Sequence, residues 1–171
     1  MKHFSCLGVA MICFATQAQP LEAANAQQIV DQLAPAASPA TADRAMGTPM
    51  RTRNLKPVQR SVDLVVQFDF DSAQLQSVSK PLLDQLAEAL KSDRLTSMRF
   101  QIEGHTDAKG SESYNKALSQ RRADAVQKYL TEQGIASERM TARGLGYSQL
   151  LYPDQPQAAE NRRVRIVALP Q

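Results

Sequence analysis

Residues 104–123 read GHTDAKGSESYNKALSQRRA, a loop that carries a carboxylate followed by a helix that carries an arginine. From a helix start near Ser111, one face of this helix carries Asn115, Leu118, Arg122, Val126 and Tyr129. Arg122 therefore lies in a mostly apolar stripe, where a charge needs a partner because burying it unpaired is costly. Two kinds of partner for Arg122 are consistent with the sequence. One is an internal carboxylate, with Asp107 as the candidate, and the other is a ligand carboxylate, which the planar guanidinium fork binds well.

Strand and helix patterns alternate around this stretch. Apolar and polar residues alternate in the strand-like segments, and apolar residues recur at steps of three or four in the helical ones. The order is βαβαβ, followed by a loop and a last strand, which predicts an α/β sandwich with a mixed four-stranded sheet and helices packed on it. The predicted strands are 62–70, 98–103, 140–147 and 164–169, and the predicted helices are 81–90 and 111–133.

The N-terminus has the pattern of a secretory signal peptide. Lys2 precedes an uncharged apolar run at residues 4–15, which is shorter than the roughly 20 residues that span a bilayer. Small residues fit cleavage after Ala18 or after Ala26, so the signal peptide is predicted at residues 1–26. The alternative is an uncleaved anchor. We expect an exported, periplasmic protein whose mature form has no transmembrane span.

Cysteine and histidine are almost confined to this signal segment. Cys6, Cys13 and His3 all lie in it, which leaves His105 as the single histidine of the predicted mature chain. Neither cysteine has the position of a lipidated residue, and the mature chain would contain no disulfide. A Cys/His zinc cluster and a Cys-His nucleophile are also excluded. The sequence therefore predicts no metal, no cofactor and no catalytic residue.

Charge and composition divide the rest of the chain. Residues 27–60 are rich in Ala and Pro and contain no aromatic residue, which is typical of a linker, with a short helix at 26–33 as an option. Residues 61–171 are predicted to form the domain and carry fourteen Lys/Arg and fourteen Asp/Glu, so the net charge of +3 belongs to the linker. A neutral domain lacks the basic surface of a nucleic-acid-binding protein.

Several polar residues fall where ligands bind in open α/β sheets, at the carboxyl ends of strands. Asp71 and Ser72 follow the first predicted strand, and Thr106 and Asp107 follow the second. Both loops meet the start of the long helix, where free backbone N–H groups favour an anion. Arg122 lies about three turns further along. Two carboxylates, an arginine and a helix N-terminus suit a zwitterionic ligand.

Five motifs connect this pattern to a known family. The chain resembles the OmpA-like C-terminal domain, the peptidoglycan-binding module of outer-membrane proteins, Pal-type lipoproteins and flagellar stator proteins. The resemblance covers roughly residues 61–170 and implies the same mixed four-stranded sheet. Too few residues precede it for the membrane β-barrel that many relatives carry. The motifs are FDFDS at 68–72, GHTDAKG at 104–110, SQRRA at 119–123, GLG at 144–146 and NRRVRI at 161–166.

The resemblance implies non-covalent binding of peptidoglycan through the diaminopimelate of its stem peptide, which links envelope components to the cell wall. Peptidoglycan is the implied partner, and outer-membrane or other envelope proteins are further candidates. Asp69 is predicted to be a solvated strand residue. Arg163 has two alternative roles, a structural salt bridge at the strand end or a contact with the ligand. The implied ligand-binding residues are Asp71, Thr106, Asp107, Asn115, Leu118 and Arg122, with Ser72 and Arg163 as weaker candidates.

Two other functions use the same residues. The wall-anchoring part of a stator or secretion complex would share the site, but it would normally need an N-terminal transmembrane helix, which the sequence does not predict. A peptidoglycan-cleaving enzyme would use Asp71 and Asp107 as a carboxylate pair. The nearby arginine opposes this function, because it favours ionised carboxylates and a general acid needs a raised pKa.

Overall fold

Four strands and three α-helices form the part of the chain that the computed structural model describes, residues 25–35, 59–69 and 71–170. Most of the predicted signal peptide and of the predicted linker lies outside these residues, as do Phe70 and Gln171. The helices are α1 (Ala26–Leu33), α2 (Lys80–Lys91) and α3 (Glu112–Glu132), and the strands are β1 (Ser61–Leu64), β2 (Phe100–His105), β3 (Met140–Gly146) and β4 (Val164–Ala168).

The strands form one mixed sheet in the order β1-β4-β2-β3. β4 is antiparallel to both β1 and β2, and β2 is parallel to β3. The last strand thus inserts between the first two, which is the arrangement expected when it returns after a loop and not after a crossover helix. The predicted fold class, an α/β sandwich with a mixed four-stranded sheet, is confirmed. None of the described helices is long and apolar enough to cross a membrane.

β1 is shorter than the predicted strand at 62–70. Its ladder with β4 ends at Leu64, and Phe68 forms only an isolated bridge with Leu75. Between them, the Gln67 N–H donates to Ser79 Oγ at 2.7 Å. Val66 therefore packs inward without pairing in the sheet, and the chain turns into a loop that places Phe68 against Arg122 of α3.

The core lies between the sheet and α2 and α3, and two glycines set the closest approach of α3. A Cβ atom on Gly104 would lie 2.2 Å from the Ser119 carbonyl oxygen, and one on Gly144 would lie 2.3 Å from the Gln120 backbone nitrogen. Only glycine allows this contact between helix and strand backbones. The Gly144 N–H also donates to Gln120 Oε1 at 2.8 Å. These contacts fix the turn of α3 that carries Arg122.

α1 falls within the range predicted as linker, at the position where a short helix was an option. Asn25 caps it, because the Asn25 side chain accepts from the Gln28 N–H and the Gln28 side chain accepts from the Asn25 N–H. Ile29 and Leu33 are fully buried in the common core. Asp31 pairs with Arg94, just beyond α2, at 2.6 Å. The boundary at residue 61 stays a prediction, and α1 is a segment before it that packs onto the core.

Ile29→Ala is expected to lower the free energy of unfolding by about 2–5 kcal/mol, because a fully buried isoleucine loses its transfer energy and leaves a cavity. Urea unfolding of the full chain measures the change. Gln32→Ala is the matched control, since Gln32 is exposed on the same helix. Equal stability of Ile29→Ala and the control would show that α1 does not contribute to the domain.

Candidate functional site

A cavity of about 580 Å³ opens where the loops after β1 and β2 meet the first turns of α3. Asp107 is the second residue after β2, Arg122 lies in the third turn of α3, and Phe68 and Asp71 come from the loop after β1. The cavity is lined by Phe68, Asp69, Asp71, Thr106, Asp107, Lys109, Tyr114, Asn115, Leu118, Arg122 and Arg162. The six main residues predicted from the sequence are thus all present in one cavity.

Arg122 is held by its Nε atom, and within the described residues its other guanidinium N–H groups make no hydrogen bond. The Nε–H donates to the Ser72 carbonyl oxygen at 3.0 Å, and the guanidinium carbon lies 4.9 Å from the centre of the Phe68 ring. None of the ion pairs among the described residues includes Arg122, so the internal pair with Asp107 does not form. Burial and then the charge of Arg162 lower the pKa of Arg122.

Asp107 pairs with a different arginine. Its Oδ2 accepts from Arg162 Nη1 at 2.8 Å, and its Oδ1 accepts from the Lys109 N–H at 3.2 Å. The Asp107 side chain is 10% exposed and that of Arg162 is 45% exposed. Arg162 was not among the predicted site residues. The signal for it was the Arg162-Arg163 pair, because successive residues entering a strand point to opposite sides and only one of them reaches the cavity.

The two weaker candidates do not line the cavity. Arg163 is 2% exposed and donates from Nε to Asp63 Oδ1 at 2.8 Å, which is the structural salt bridge that the sequence left open. Ser72 acts through its backbone, because its carbonyl oxygen accepts from Arg122. Asp69, predicted to be solvated, is half-buried and is among the lining residues.

Asp71 has a strained backbone, with φ at 52°, and no other non-glycine residue of the described chain has a positive φ. Aspartate tolerates this left-handed conformation better than most residues, but it still costs free energy. Such strain concentrates at ligand sites, where it holds a side chain in place. The turn brings the Asp71 carboxylate to the same cavity as Asp107.

The remaining predicted residues hold the loop or offer hydrogen bonds. Asn115 Nδ2 donates to the carbonyl oxygens of Lys109 and Ser111, at 2.7 and 3.2 Å. Thr106 is 2% exposed, and its Oγ1 has no hydrogen-bond partner within the described part of the chain. A buried hydroxyl without a partner is costly, and this residue lines the cavity. Leu118 contributes an apolar wall.

The cavity balances charge within a small space. Its lining holds three carboxylates and three cations, so it is close to neutral overall. Opposite charges that lie close together bind a zwitterion, because each charged group of the ligand finds a partner. The charged lining residues are Asp69, Asp71, Asp107, Lys109, Arg122 and Arg162.

Comparison with known proteins places this fold and cavity in one family. The OmpA family matches residues 67–164. Outer membrane porin F of Pseudomonas fluorescens is 39% identical over 105 residues, which cover 60% of this chain and 32% of the porin. The peptidoglycan-associated lipoprotein of Pseudomonas aeruginosa is 37% identical over 101 residues, covering 58% of each protein.

A solved structure agrees with the sequence comparisons. The peptidoglycan-associated lipoprotein from Burkholderia pseudomallei is 39% identical, covers 61% of this chain and 88% of its own, and superposes with a TM-score of 0.53. The match spans about a third of the porin's length and 58% of the lipoprotein's. The shared part is therefore the domain that carries the cavity. Since the family match extends over more than half of the sequence, this chain belongs to the OmpA family.

Proposed function

We propose that the domain binds peptidoglycan non-covalently through the diaminopimelate of the stem peptide and so links the envelope to the cell wall. The observation that carries this proposal is the Arg122 fork, which borders the cavity without a carboxylate partner among the described residues. The similarity to peptidoglycan-associated lipoproteins supports the same ligand.

Diaminopimelate fits the arrangement of charges. The free end of its side chain carries an ammonium and a carboxylate on one carbon. Arg122 binds the carboxylate with its planar fork, and Asp71 and Asp107 bind the ammonium. The Thr106 hydroxyl gains the hydrogen bond it lacks. Phe68 and Leu118 pack against the methylene chain.

Asp107→Asn is expected to weaken binding to a diaminopimelate-containing muropeptide by about ten- to a hundred-fold, because hydrogen bonds to charged groups contribute about 1.5–3 kcal/mol. Asparagine retains an oxygen that accepts from the Lys109 N–H, so the loop is preserved. Calorimetric titration measures the affinity. Asp154→Asn, at an exposed position, is the control. Wild-type affinity in Asp107→Asn would remove Asp107 from the site.

We further propose that the domain binds the wall without cleaving it. Both oxygens of Asp107 accept hydrogen bonds, one from Arg162 Nη1 and one from the Lys109 N–H, whereas a glycan-cleaving carboxylate pair needs one acid that donates a proton. Incubation with purified sacculi should release no soluble muropeptides. Release by the wild-type protein would contradict the proposal.

Export by the predicted signal peptide would bring the protein to the periplasm, bound to the wall. Cleavage after Ala26 would remove Asn25 and with it the capping box of α1, whereas cleavage after Ala18 would retain it. We therefore expect mass spectrometry of protein from a Gram-negative host to find a mature chain that begins at Gln19. A chain that retains Met1 would contradict export by cleavage.

A further inference from the structure

The cavity described above, which we call the main cavity, adjoins a second cavity at Arg122. The second cavity, of about 310 Å³, shares Phe68, Arg122 and Arg162 with the first, so the two adjoin along these three side chains. We call it the side cavity. Its other walls come from the loop after β1 and from the short helical turn before β4. They are Val65, Val66, Gln67, Gln76, Ala159 and Glu160.

The side cavity has a different chemical character from the main one. The main cavity balances three carboxylates against three cations, whereas the side cavity has two guanidiniums against the single carboxylate of Glu160. Val65, Val66 and Ala159 add a small apolar surface. This combination suits an anionic group attached to a short hydrocarbon chain.

The contacts of Arg122 and Arg162 with other described residues involve only part of each guanidinium. Within the part of the chain that the structure describes, the Arg162 side chain gives only Nη1 to Asp107, and it is 45% exposed. Arg122 gives only Nε to the Ser72 carbonyl oxygen within the described residues. The free end of diaminopimelate supplies one carboxylate for the two guanidiniums, and no ion pair among the described residues joins either arginine to Glu160.

We propose that the side cavity binds a second carboxylate of the same stem peptide, from a residue next to diaminopimelate. This inference rests on the proposed function. Two residues of the stem carry such a group, the preceding D-glutamate through its α-carboxylate and the following D-alanine when it is the terminal residue. Both groups are attached next to the diaminopimelate backbone, one side chain's length from its free end, so either group can enter a cavity that adjoins the diaminopimelate site.

Calorimetric titration with three soluble tetrapeptide muropeptides tests the proposal. One is unmodified, one carries an amide in place of the D-alanine carboxylate, and one carries an amide in place of the D-glutamate α-carboxylate. We expect at least one amidated ligand to bind about ten-fold more weakly, as expected for the loss of one charge-assisted contact. The amide that weakens binding identifies the residue that enters the side cavity.

Two variants connect this difference to the side cavity. Ala159→Phe fills the cavity and should abolish the difference between free and amidated ligands, while Ala136→Phe, at an exposed alanine beyond the far end of α3, should retain it. Glu160→Gln removes the opposing carboxylate and should strengthen binding of the unmodified ligand a few-fold, with no change for the ligand that lacks the relevant carboxylate. The Glu160→Gln variant thus gives a test that does not depend on how the phenylalanine of Ala159→Phe packs.

The outcomes separate this inference from the proposed function. Equal affinity of the wild type for all three ligands would overturn the side-cavity proposal and leave the diaminopimelate site in place. The side-cavity proposal would also be overturned if Glu160→Gln had the same ratio of affinities for the unmodified and amidated ligands as the wild type. Failure of the wild type to bind even the unmodified muropeptide would overturn the proposed function itself.

Discussion

Arg122→Ala is expected to weaken binding to purified sacculi by tens- to thousands-fold. Removal of one partner from a buried charge-assisted contact typically costs about 2–5 kcal/mol, and 1.4 kcal/mol corresponds to a ten-fold change in affinity. Arg122 has no carboxylate partner in the described protein, so its loss leaves no internal anion unpaired. The effect should therefore appear in binding much more than in stability.

Arg121→Ala is the matched control, because Arg121 is the exposed neighbour of Arg122 on the same helix. Arg122→Lys is a second variant, which retains the charge but loses the planar fork, and it should bind less well than the wild type. Circular dichroism must show that each variant is folded, since Arg122 also donates to the loop at Ser72. Wild-type binding by a folded Arg122→Ala protein would exclude Arg122 from the site.

Asp63→Ala is expected to lower the free energy of unfolding by about 3–5 kcal/mol, the usual result of leaving a buried charge without its partner. Asp63 on β1 accepts from Arg163 Nε at 2.8 Å and from Arg165 Nε at 2.9 Å, and both arginines belong to the β4 region. The Asp63 side chain is 7% exposed. Its removal would leave two guanidiniums without a carboxylate at the junction between β1 and β4.

The contribution of Asp63 should depend on pH. Burial acts to raise its pKa, but the hydrogen bond and charge of Arg165, together with those of Arg163, outweigh burial and lower it from 3.8. A carboxyl group with a lowered pKa stabilises the fold fully above the unfolded-state value, and this stabilisation is lost as pH falls through the folded-state pKa. The stability difference between wild type and Asp63→Ala should therefore be constant near neutral pH and shrink below about pH 3.8.

Urea unfolding at several pH values measures both effects. Asp93→Ala removes an exposed carboxylate and should change stability by no more than about 0.5 kcal/mol. If Asp63→Ala matched this control at neutral pH, the ion pairs with Arg163 and Arg165 would not stabilise the sheet. A difference that grew with acidity would contradict the direction of the pKa shift.

The central part of the site was predictable because it depends on short-range spacing. Asp107 comes two residues after a strand and Arg122 lies three turns into the next helix, so the short strand-loop-helix unit places them near one another. The helical period also placed Asn115 and Leu118 on the same face as Arg122. These relations depend on local geometry and not on how the remaining strands pair.

Other features depended on contacts between distant segments. Alternation in residues 62–70 indicates burial, but it does not show where backbone pairing stops, and β1 ends at Leu64. Whether Arg162 or Arg163 faces the cavity depends on the orientation of the chain where it enters β4. The partner that fixes this orientation is Asp63, about a hundred residues earlier, which pairs with Arg163. Sequence spacing contains no information on that pairing.

α1 illustrates a third limit. Eight residues are too few for a stable isolated helix, and the apolar set Ile29, Val30 and Leu33 is too short to show a sustained period. The helix is stable because its apolar face packs onto the domain core. Composition indicated a linker because the Ala- and Pro-rich part dominates residues 27–60.

The most direct test of the account is a titration of the wild-type protein with two muropeptides that differ only in diaminopimelate against lysine. Lysine has the same chain and ammonium but lacks the carboxylate assigned to Arg122. We expect the diaminopimelate ligand to bind at least tens-fold more tightly, as expected for a contact worth about 2–5 kcal/mol. Equal affinity for the two ligands would contradict the claim that Arg122 and the carboxylates around it recognise diaminopimelate.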